Sequence, residues 1–202
     1  MNKYVILFFF LTGFIFAQPS QSTEEQILEA IDQKQKLINS SRVKNIDFKN
    51  IGPSVMSGRV VDISVNPDDP TEFYAAFATG GLWHTKDNGI SFNSIFDNSV
   101  TQNIGEIEVH WATRTIWVGT GENNSSRSSY SGVGILKSTN NGDTWENKGL
   151  SDSHHVGKIL VNPDDPNHVI VGVTGHLYSE NEMRGIYITT DGGENWENPL
   201  YI

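Results

Sequence analysis

Seven charged or imidazole side chains of this sequence could do chemistry, and they lie in or beside polar, glycine-containing segments. They are Arg59, Glu122, Arg127, His154, His155, His176 and Arg184. Glu122 follows Gly119-Thr120-Gly121, so it could act as a general acid or base, or it could cap its loop through hydrogen bonds. Arg59 could bind an anionic group or pair with a neighbouring acid such as Asp62.

The adjacent histidines His154 and His155 could contact a ligand or a metal ion. The sequence contains neither an HExxH motif nor any cysteine, so no established metal-binding spacing is available. We therefore predict that all seven residues belong to a ligand-binding site, with no metal and no other cofactor.

The charge balance limits the kinds of partner. The chain has 24 acidic and 14 basic residues and a formal net charge of −10, whereas nucleic acids and anionic membranes attract basic surfaces. We predict a carbohydrate, protein or peptide ligand and no nucleic acid. Nineteen glycines among 202 residues favour a chain of short strands and tight turns over a helical one.

The N-terminus has the pattern of a secretory signal peptide. Lys3 precedes an apolar run from Val5 to Phe16, and Ala17 offers a cleavage site. The run is shorter than the ~20 residues of a membrane-spanning helix. Residues 1–17 therefore predict a secreted or periplasmic protein without membrane insertion after cleavage. A capping box at 22–25 then predicts a helix over about 23–39, within an N-terminal helix and connector at 18–50.

Internal repeats indicate how the rest of the chain is organised. Three matching segments occur at 85–92, 138–145 and 189–196, roughly 50 residues apart, each preceded by a glycine and two apolar residues. An Asn-Pro-Asp-Asp-Pro turn occurs at 66–70 and 162–166, and His110-Trp111-Ala112-Thr113-Arg114 replaces it in the middle unit. A four-stranded repeat of this length is typical of a propeller blade. We predict an all-β fold whose blades cover about 51–98, 99–149 and 150–202.

Hydrogen bonding within each repeated turn can account for its acidic or amide side chain. Asp87, Asn140 and Asp191 can accept hydrogen bonds from backbone N–H groups, and the glycine two residues later permits a positive φ. The aromatic residue that ends each segment is expected to fold back into its blade. We therefore predict that these three side chains are structural rather than catalytic or metal-binding, and that Asn-Pro-Asp-Asp-Pro is a proline-fixed turn rather than a calcium site.

These three segments resemble the Asp-box, or bacterial-neuraminidase, repeat of sialidases, xyloglucanase-type glycosidases and the sortilin luminal domain. Further segments resemble the start of large secreted bacterial proteins labelled glycosyl hydrolase or sortilin N-terminal-like. They lie at 58–63, 80–85, 117–123, 149–157 and 175–185. The resemblance covers about residues 48–202 and implies an Asp-box propeller with possible glycosyl hydrolase activity. The arginines, tyrosine–glutamate pair and aspartate of sialidases have no matching set here.

Strand alternation sorts the loops between the two ends of the blades. The Asn-Pro-Asp-Asp-Pro and Asp-box turns share one end, and the polar loops 122–130 and 176–184 share the other with the link 151–155 and Arg59. Long polar loops on a rigid scaffold commonly bind ligands. Three tryptophans could stack on sugars or belong to the core. They are Trp83, Trp111 and Trp117.

These patterns leave three functional hypotheses open. The first is a propeller that binds a glycan or protein segment at one face, the second is a glycoside hydrolase with carboxylates from several blades, and the third is a sortilin-like peptide-binding module. Closed propellers have about four to eight blades. Three blades therefore predict either a fragment of a longer protein or self-association through the open blade faces.

Overall fold

The computed structural model describes residues 22–46, 58–127 and 129–202. The predicted signal peptide at 1–17, the ends of the 18–50 segment and the first residues of the first predicted blade lie outside the described residues. Among those described, no helix combines the length and the apolar character needed to cross a lipid bilayer.

Helix α1 spans Glu24–Ser40 and begins with a capping box. The Thr23 hydroxyl accepts a hydrogen bond from the Gln26 N–H at 3.3 Å, and the Gln26 side chain accepts one from the Thr23 N–H at 3.0 Å. The box lies one residue later than the sequence predicted. With Thr23 as N-cap, Glu24 and Glu25 both occupy the first turn, where the helix dipole favours negative charge.

Within residues 58–202, the described part of the chain forms three antiparallel sheets of four strands, and each sheet follows chain order. The first sheet contains β1 (Val60–Val65), β2 (Phe73–Phe77), β3 (Gly81–Thr85) and β4 (Asn93–Ser94). The second contains β5 (Ile104–His110), β6 (Thr115–Thr120), β7 (Ile135–Ser138) and β8 (Glu146–Asn147). The third contains β9 (Val156–Asn162), β10 (Asp165–Val173), β11 (Gly185–Thr189) and β12 (Glu197–Leu200). These sheets confirm the predicted all-β class with three four-stranded units.

The first strands of the three sheets stand side by side, β1 against β5 and β5 against β9. Side chains that alternate along β6 fill the two spaces between the sheets. Ile116 and Val118 join the core shared with the first sheet, whereas Trp117 joins the core shared with the third. The second sheet therefore buries both faces against its neighbours, and the first and third sheets each pack one face against it, as adjacent blades do around a propeller axis.

The three repeated turns have the same hydrogen bonds. Oδ1 of Asp87, Asn140 and Asp191 accepts a hydrogen bond from the backbone N–H four residues later, at 2.9 to 3.0 Å. Gly89, Gly142 and Gly193 have φ between 81° and 94°. Local bonding thus accounts for these acidic and amide side chains.

Of the three aromatic residues that end the turns, Phe92 packs against Phe73 of its own sheet as predicted, whereas the two tryptophans differ from the prediction. Trp145 donates to the Ile95 carbonyl at 3.0 Å, and Trp196 donates to the Lys148 carbonyl at 2.6 Å. Both acceptors lie in the link between the tryptophan's own sheet and the preceding sheet. These rings therefore seal the joints between sheets, where Trp145 meets the edge or face of Phe96 and Trp196 that of Trp117.

Candidate functional site

Three loop segments and the start of β1 meet at one end of the sheets. The segments are 121–134 between β6 and β7, 148–155 between β8 and β9, and 174–184 between β10 and β11. Antiparallel pairing requires these connections to share an end, and hydrogen bonds between them join them there. We call this cluster the loop face.

Arg59 and Glu122 form an ion pair across the loop face. The Arg59 Nη2 lies 2.6 Å from Oε2 of Glu122, which also accepts a hydrogen bond from the Ser129 hydroxyl at 2.5 Å. Glu122 is 0 % exposed, whereas the Arg59 side chain is 45 % exposed. Glu122 thus positions the arginine, and the arginine is the member of the pair that can reach a ligand.

The sequence suggested that Arg59 could pair with Asp62, but Arg59 pairs with Glu122 instead. The carboxylate of Asp62 accepts hydrogen bonds from the backbone N–H groups of Ile63 at 2.8 Å and Ile107 at 3.1 Å. This side chain therefore helps to join β1 to β5, and the acid that faces Arg59 comes from the second sheet.

His155 fastens the loop of Glu122 to the link between the second and third sheets. Its Nδ1 lies 2.9 Å from the backbone carbonyl of Glu122, and the carbonyl of His154 accepts from the Gly132 N–H at 2.7 Å. Burial lowers the pKa of the His155 imidazole, so the ring is neutral at pH 7 and donates Nδ1–H to that carbonyl. His155 therefore supports the site from beneath.

His154 and His176 stack on each other beside Asp152. Their ring centroids are 3.5 Å apart, with 16° between the ring planes. Oδ1 of Asp152 lies 3.2 Å from Nε2 of His176 and 3.7 Å from Nε2 of His154. Burial lowers the pKa of the His154 imidazole to about 4. Sequence spacing did not indicate this group, because His176 belongs to a different loop.

The two remaining predicted residues are exposed on the same loops. Arg184 donates to the carbonyl of His176 at 3.0 Å, and Arg127 lies on the loop that contains Glu122. The structure therefore connects six of the seven predicted residues by direct contacts and places the seventh on one of the same loops. Their role in ligand binding stays a prediction.

Two exposed tyrosines of the loop face were missed by the sequence analysis. Tyr130 is 57 % exposed and Tyr178 is 69 % exposed. The Tyr178 hydroxyl donates to the backbone carbonyl of Ser126 at 2.7 Å and so ties two loops together. By contrast Trp117, considered above for sugar stacking, is fully buried. The sequence feature that could have identified the two tyrosines is the position of each aromatic residue in a polar loop rather than in a strand.

A second charged cluster lies at the opposite end of the sheets, beside the Asn-Pro-Asp-Asp-Pro turn. Buried Glu72 accepts from Arg114 Nη1 at 2.7 Å and from Asn66 Nδ2 at 2.8 Å, and it lies 3.0 Å from Nε2 of His84. The Arg114 guanidinium is the main cause that lowers the pKa of this carboxyl to about 2. The ion pair between Glu72 and Arg114 therefore links the first sheet to the second.

No protein-family model and no curated protein matches this chain. Solved structures do resemble it. An ancestral GH74 enzyme superposes with a TM-score of 0.57 at 18% identity, over 76% of this chain and 19% of the enzyme. YCF48 from Cyanidioschyzon merolae superposes with a TM-score of 0.47 at 18% identity, over 74% of this chain and 39% of YCF48. A GH74 enzyme from Niastella koreensis superposes with a TM-score of 0.37 at 15% identity, over 67% of this chain and 28% of the enzyme.

These likenesses concern the fold, because the sequence identities are low. The chain spans about a fifth of the length of the ancestral GH74 enzyme. The GH74 and YCF48 proteins are β-propellers. The three four-stranded sheets described above have the architecture of part of a β-propeller.

Proposed function

We propose that this chain is a secreted Asp-box propeller module that binds a glycan through its loop face. The observation that carries the proposal is the exposure of Tyr130 and Tyr178 at the end of the sheets that also presents Arg59. A tyrosine ring offers an apolar surface and a polar tip at low entropic cost. Sugar rings present the complementary combination of C–H faces and hydroxyl groups.

The charged groups of the loop face support the same ligand class. Arg59, Arg127 and Arg184 present guanidinium groups whose N–H donors suit hydroxyl and carboxylate oxygens. Glu122 and His155 are buried and hold the loops, so the exposed groups are preorganised rather than mobile. A rigid polar face with exposed aromatic rings favours a glycan over an apolar ligand.

A glycan array with the purified protein tests the proposal, and the tightest ligand is then titrated by calorimetry. We expect Tyr178→Ala to weaken binding at least tenfold without lowering the melting temperature, because the ring supplies contact area. Tyr178→Phe should retain most of the affinity, since it loses only the hydroxyl that bonds to Ser126. Ile90→Ala is the control, because Ile90 is an exposed apolar residue of the first repeated turn, at the opposite end of the sheets. Equal affinity for Tyr178→Ala and wild type would contradict the proposal.

One observation favours glycoside hydrolysis as a second candidate. Burial raises the pKa of the Glu106 and Glu108 carboxyl groups on β5, and the charge of Asp62 on β1 raises both further. Glycosidases require one protonated carboxyl group beside one carboxylate. Glu106 already contacts Lys158, which leaves Glu108 as the candidate acid and Asp62 as the candidate carboxylate.

A screen of chromogenic glycosides distinguishes hydrolysis from binding. If the protein hydrolyses one of them, we expect Glu108→Gln to lower kcat about 10²- to 10⁴-fold, as is usual for loss of a general acid. Glu180→Gln, an exposed acid of the loop face, is the control and should leave kcat unchanged. A wild-type protein that binds glycans but cleaves none of the glycosides would exclude the hydrolase reading.

A further inference from the structure

We propose that Asp152, His154 and His176 form a binding site for a divalent transition-metal ion such as Zn²⁺. Each residue offers one ligand atom, and these atoms lie within 4.8 Å of one another. Zn–N and Zn–O bonds of about 2.0–2.1 Å in a tetrahedron place ligand atoms roughly 3.3 Å apart. The distances from Asp152 Oδ1 to the two Nε2 atoms, 3.2 and 3.7 Å, are close to that value.

Neighbouring groups hold the donor side chains in place. Nδ1 of His176 lies 2.8 Å from the Ser179 hydroxyl, and the backbone carbonyl of His176 accepts from Arg184. Asp152 lies in the short 3₁₀ turn Ser151–Ser153, which follows Leu150. Partners of this kind orient metal-ligating histidines and raise metal affinity.

The side-chain types of the cluster suit a transition-metal ion. Asp152 is the carboxylate that interacts with both rings, and the third imidazole nearby is His155, with its centroid 6.2 Å from that of His154. Two imidazole rings and one carboxylate form a donor set that zinc binds.

The local backbone is held in an unfavourable conformation that brings the rings together. His154 has φ 53° and ψ −45°, outside the regions that residues other than glycine ordinarily adopt. Such strain persists only where surrounding contacts impose it. The hydroxyls of Ser151 and Ser153 are also buried without a hydrogen-bond partner among the described residues. The segment that carries two of the donor side chains therefore contains a strained residue and two hydroxyl groups without a partner among the described residues.

Metal binding would change the stacked arrangement. The nitrogen lone pairs lie in the ring planes, so nearly parallel rings cannot both direct a lone pair at one ion. One imidazole must rotate by a side-chain torsion, and the stack then opens. Three protein ligands leave one position of a tetrahedral ion free for water or a ligand group. The site would thereby add a Lewis acid to the loop face.

The test is a calorimetric titration of untagged, chelator-treated and dialysed protein with ZnCl₂ at pH 7.5. We expect one Zn²⁺ per chain with a micromolar or lower Kd, and a higher melting temperature in its presence. MgCl₂ should give neither effect, because magnesium prefers oxygen ligands. Long-range ¹H–¹⁵N spectra should show Nε2 shifts at two histidines on zinc addition.

Variants separate this site from adventitious zinc binding. Asp152→Asn preserves shape, and both it and His154→Gln should weaken zinc binding at least tenfold. His168→Gln replaces a histidine on β10 outside the cluster and should bind like wild type. Melting curves without metal show whether each variant is folded. Stoichiometric binding that survives both Asp152→Asn and His154→Gln would overturn the proposal, as would the absence of one-to-one binding. Neither result depends on the glycan measurements.

Discussion

Replacing Gly121 with alanine is expected to destabilise the protein by more than about 4 kcal/mol, a size seen when a substitution creates a clash that cannot relax. A Cβ at this position would overlap the backbone carbonyl of His154 and come within 2.6 Å of the Gly132 nitrogen. Gly121 also has φ +82°, where an alanine is strained regardless of space.

The clash cannot relax locally because each atom involved is part of a hydrogen-bonded backbone. Gly132 donates to the His154 carbonyl at 2.7 Å, and Gly121 itself donates to the Asn103 carbonyl at 3.0 Å. Moving any of these groups separates the Glu122 loop from the link between the second and third sheets. The expected effect is therefore a loss of the loop face together with stability.

Gly172→Ala is the matched control. Gly172 lies on β10, and the closest atom to a Cβ placed there is the Lys158 Cβ at 3.8 Å, an ordinary van der Waals distance. We expect a change within about 1 kcal/mol, because the alanine mainly restricts the unfolded chain. Urea unfolding followed by tryptophan fluorescence measures both variants. Equal midpoints for Gly121→Ala and Gly172→Ala would show that the loop junction is more plastic than its hydrogen bonds indicate.

Glu72→Gln is expected to destabilise the protein by about 3 kcal/mol at pH 7. Removing one partner from a buried charge cluster costs about 3–5 kcal/mol, and the partial exposure of Arg114 places this case at the lower end. The amide would also direct a donor at Arg114 or Asn66, both of which donate to the native carboxylate. Glu146→Gln serves as control, since this mostly exposed carboxylate pairs with Lys148 at 3.0 Å and should contribute less than about 1 kcal/mol.

The same carboxylate predicts how stability depends on pH. The pKa of Glu72 is about 2 in the folded protein against an ordinary value of 4.5, so the unfolded chain takes up this proton first. Its contribution is complete above about pH 4.5 and is lost as the pH falls towards 2. Urea midpoints measured between pH 7 and pH 3 should therefore fall less steeply for Glu72→Gln than for Glu146→Gln. Parallel pH curves for the two variants would contradict the assignment.

The Glu72 cluster illustrates what could not be derived from the sequence. Glu72 follows the Asn-Pro-Asp-Asp-Pro turn as an unremarkable polar residue, and Arg114 lies 42 residues later. The only available signal was that the middle unit replaces that turn with a segment ending at Arg114. Which acid this arginine meets depends on the packing of the second sheet against the first.

The sequence by itself determined the repeated turns and, through them, the fold. The bonds of Asp87, Asn140 and Asp191 reach at most four residues along the chain, so they depend on a few backbone dihedral angles that residue types already restrict. Three such turns with alternating strands between them are sufficient to predict four-stranded sheets and to sort the loops between two ends. This reasoning placed six candidate residues on the loops that the structure brings together, with Arg59 beside them at the start of β1.

The tertiary structure alone decided which of those residues touch. Arg59 meets Glu122 across 63 residues, and Asp152 meets His176 across 24 residues. It also placed Trp145 and Trp196 between sheets rather than within them. Contacts of this kind depend on the rotation and spacing of neighbouring sheets, which buried side chains such as Trp117 and Val118 set collectively. No short segment contains that information, because it belongs to the packed interface.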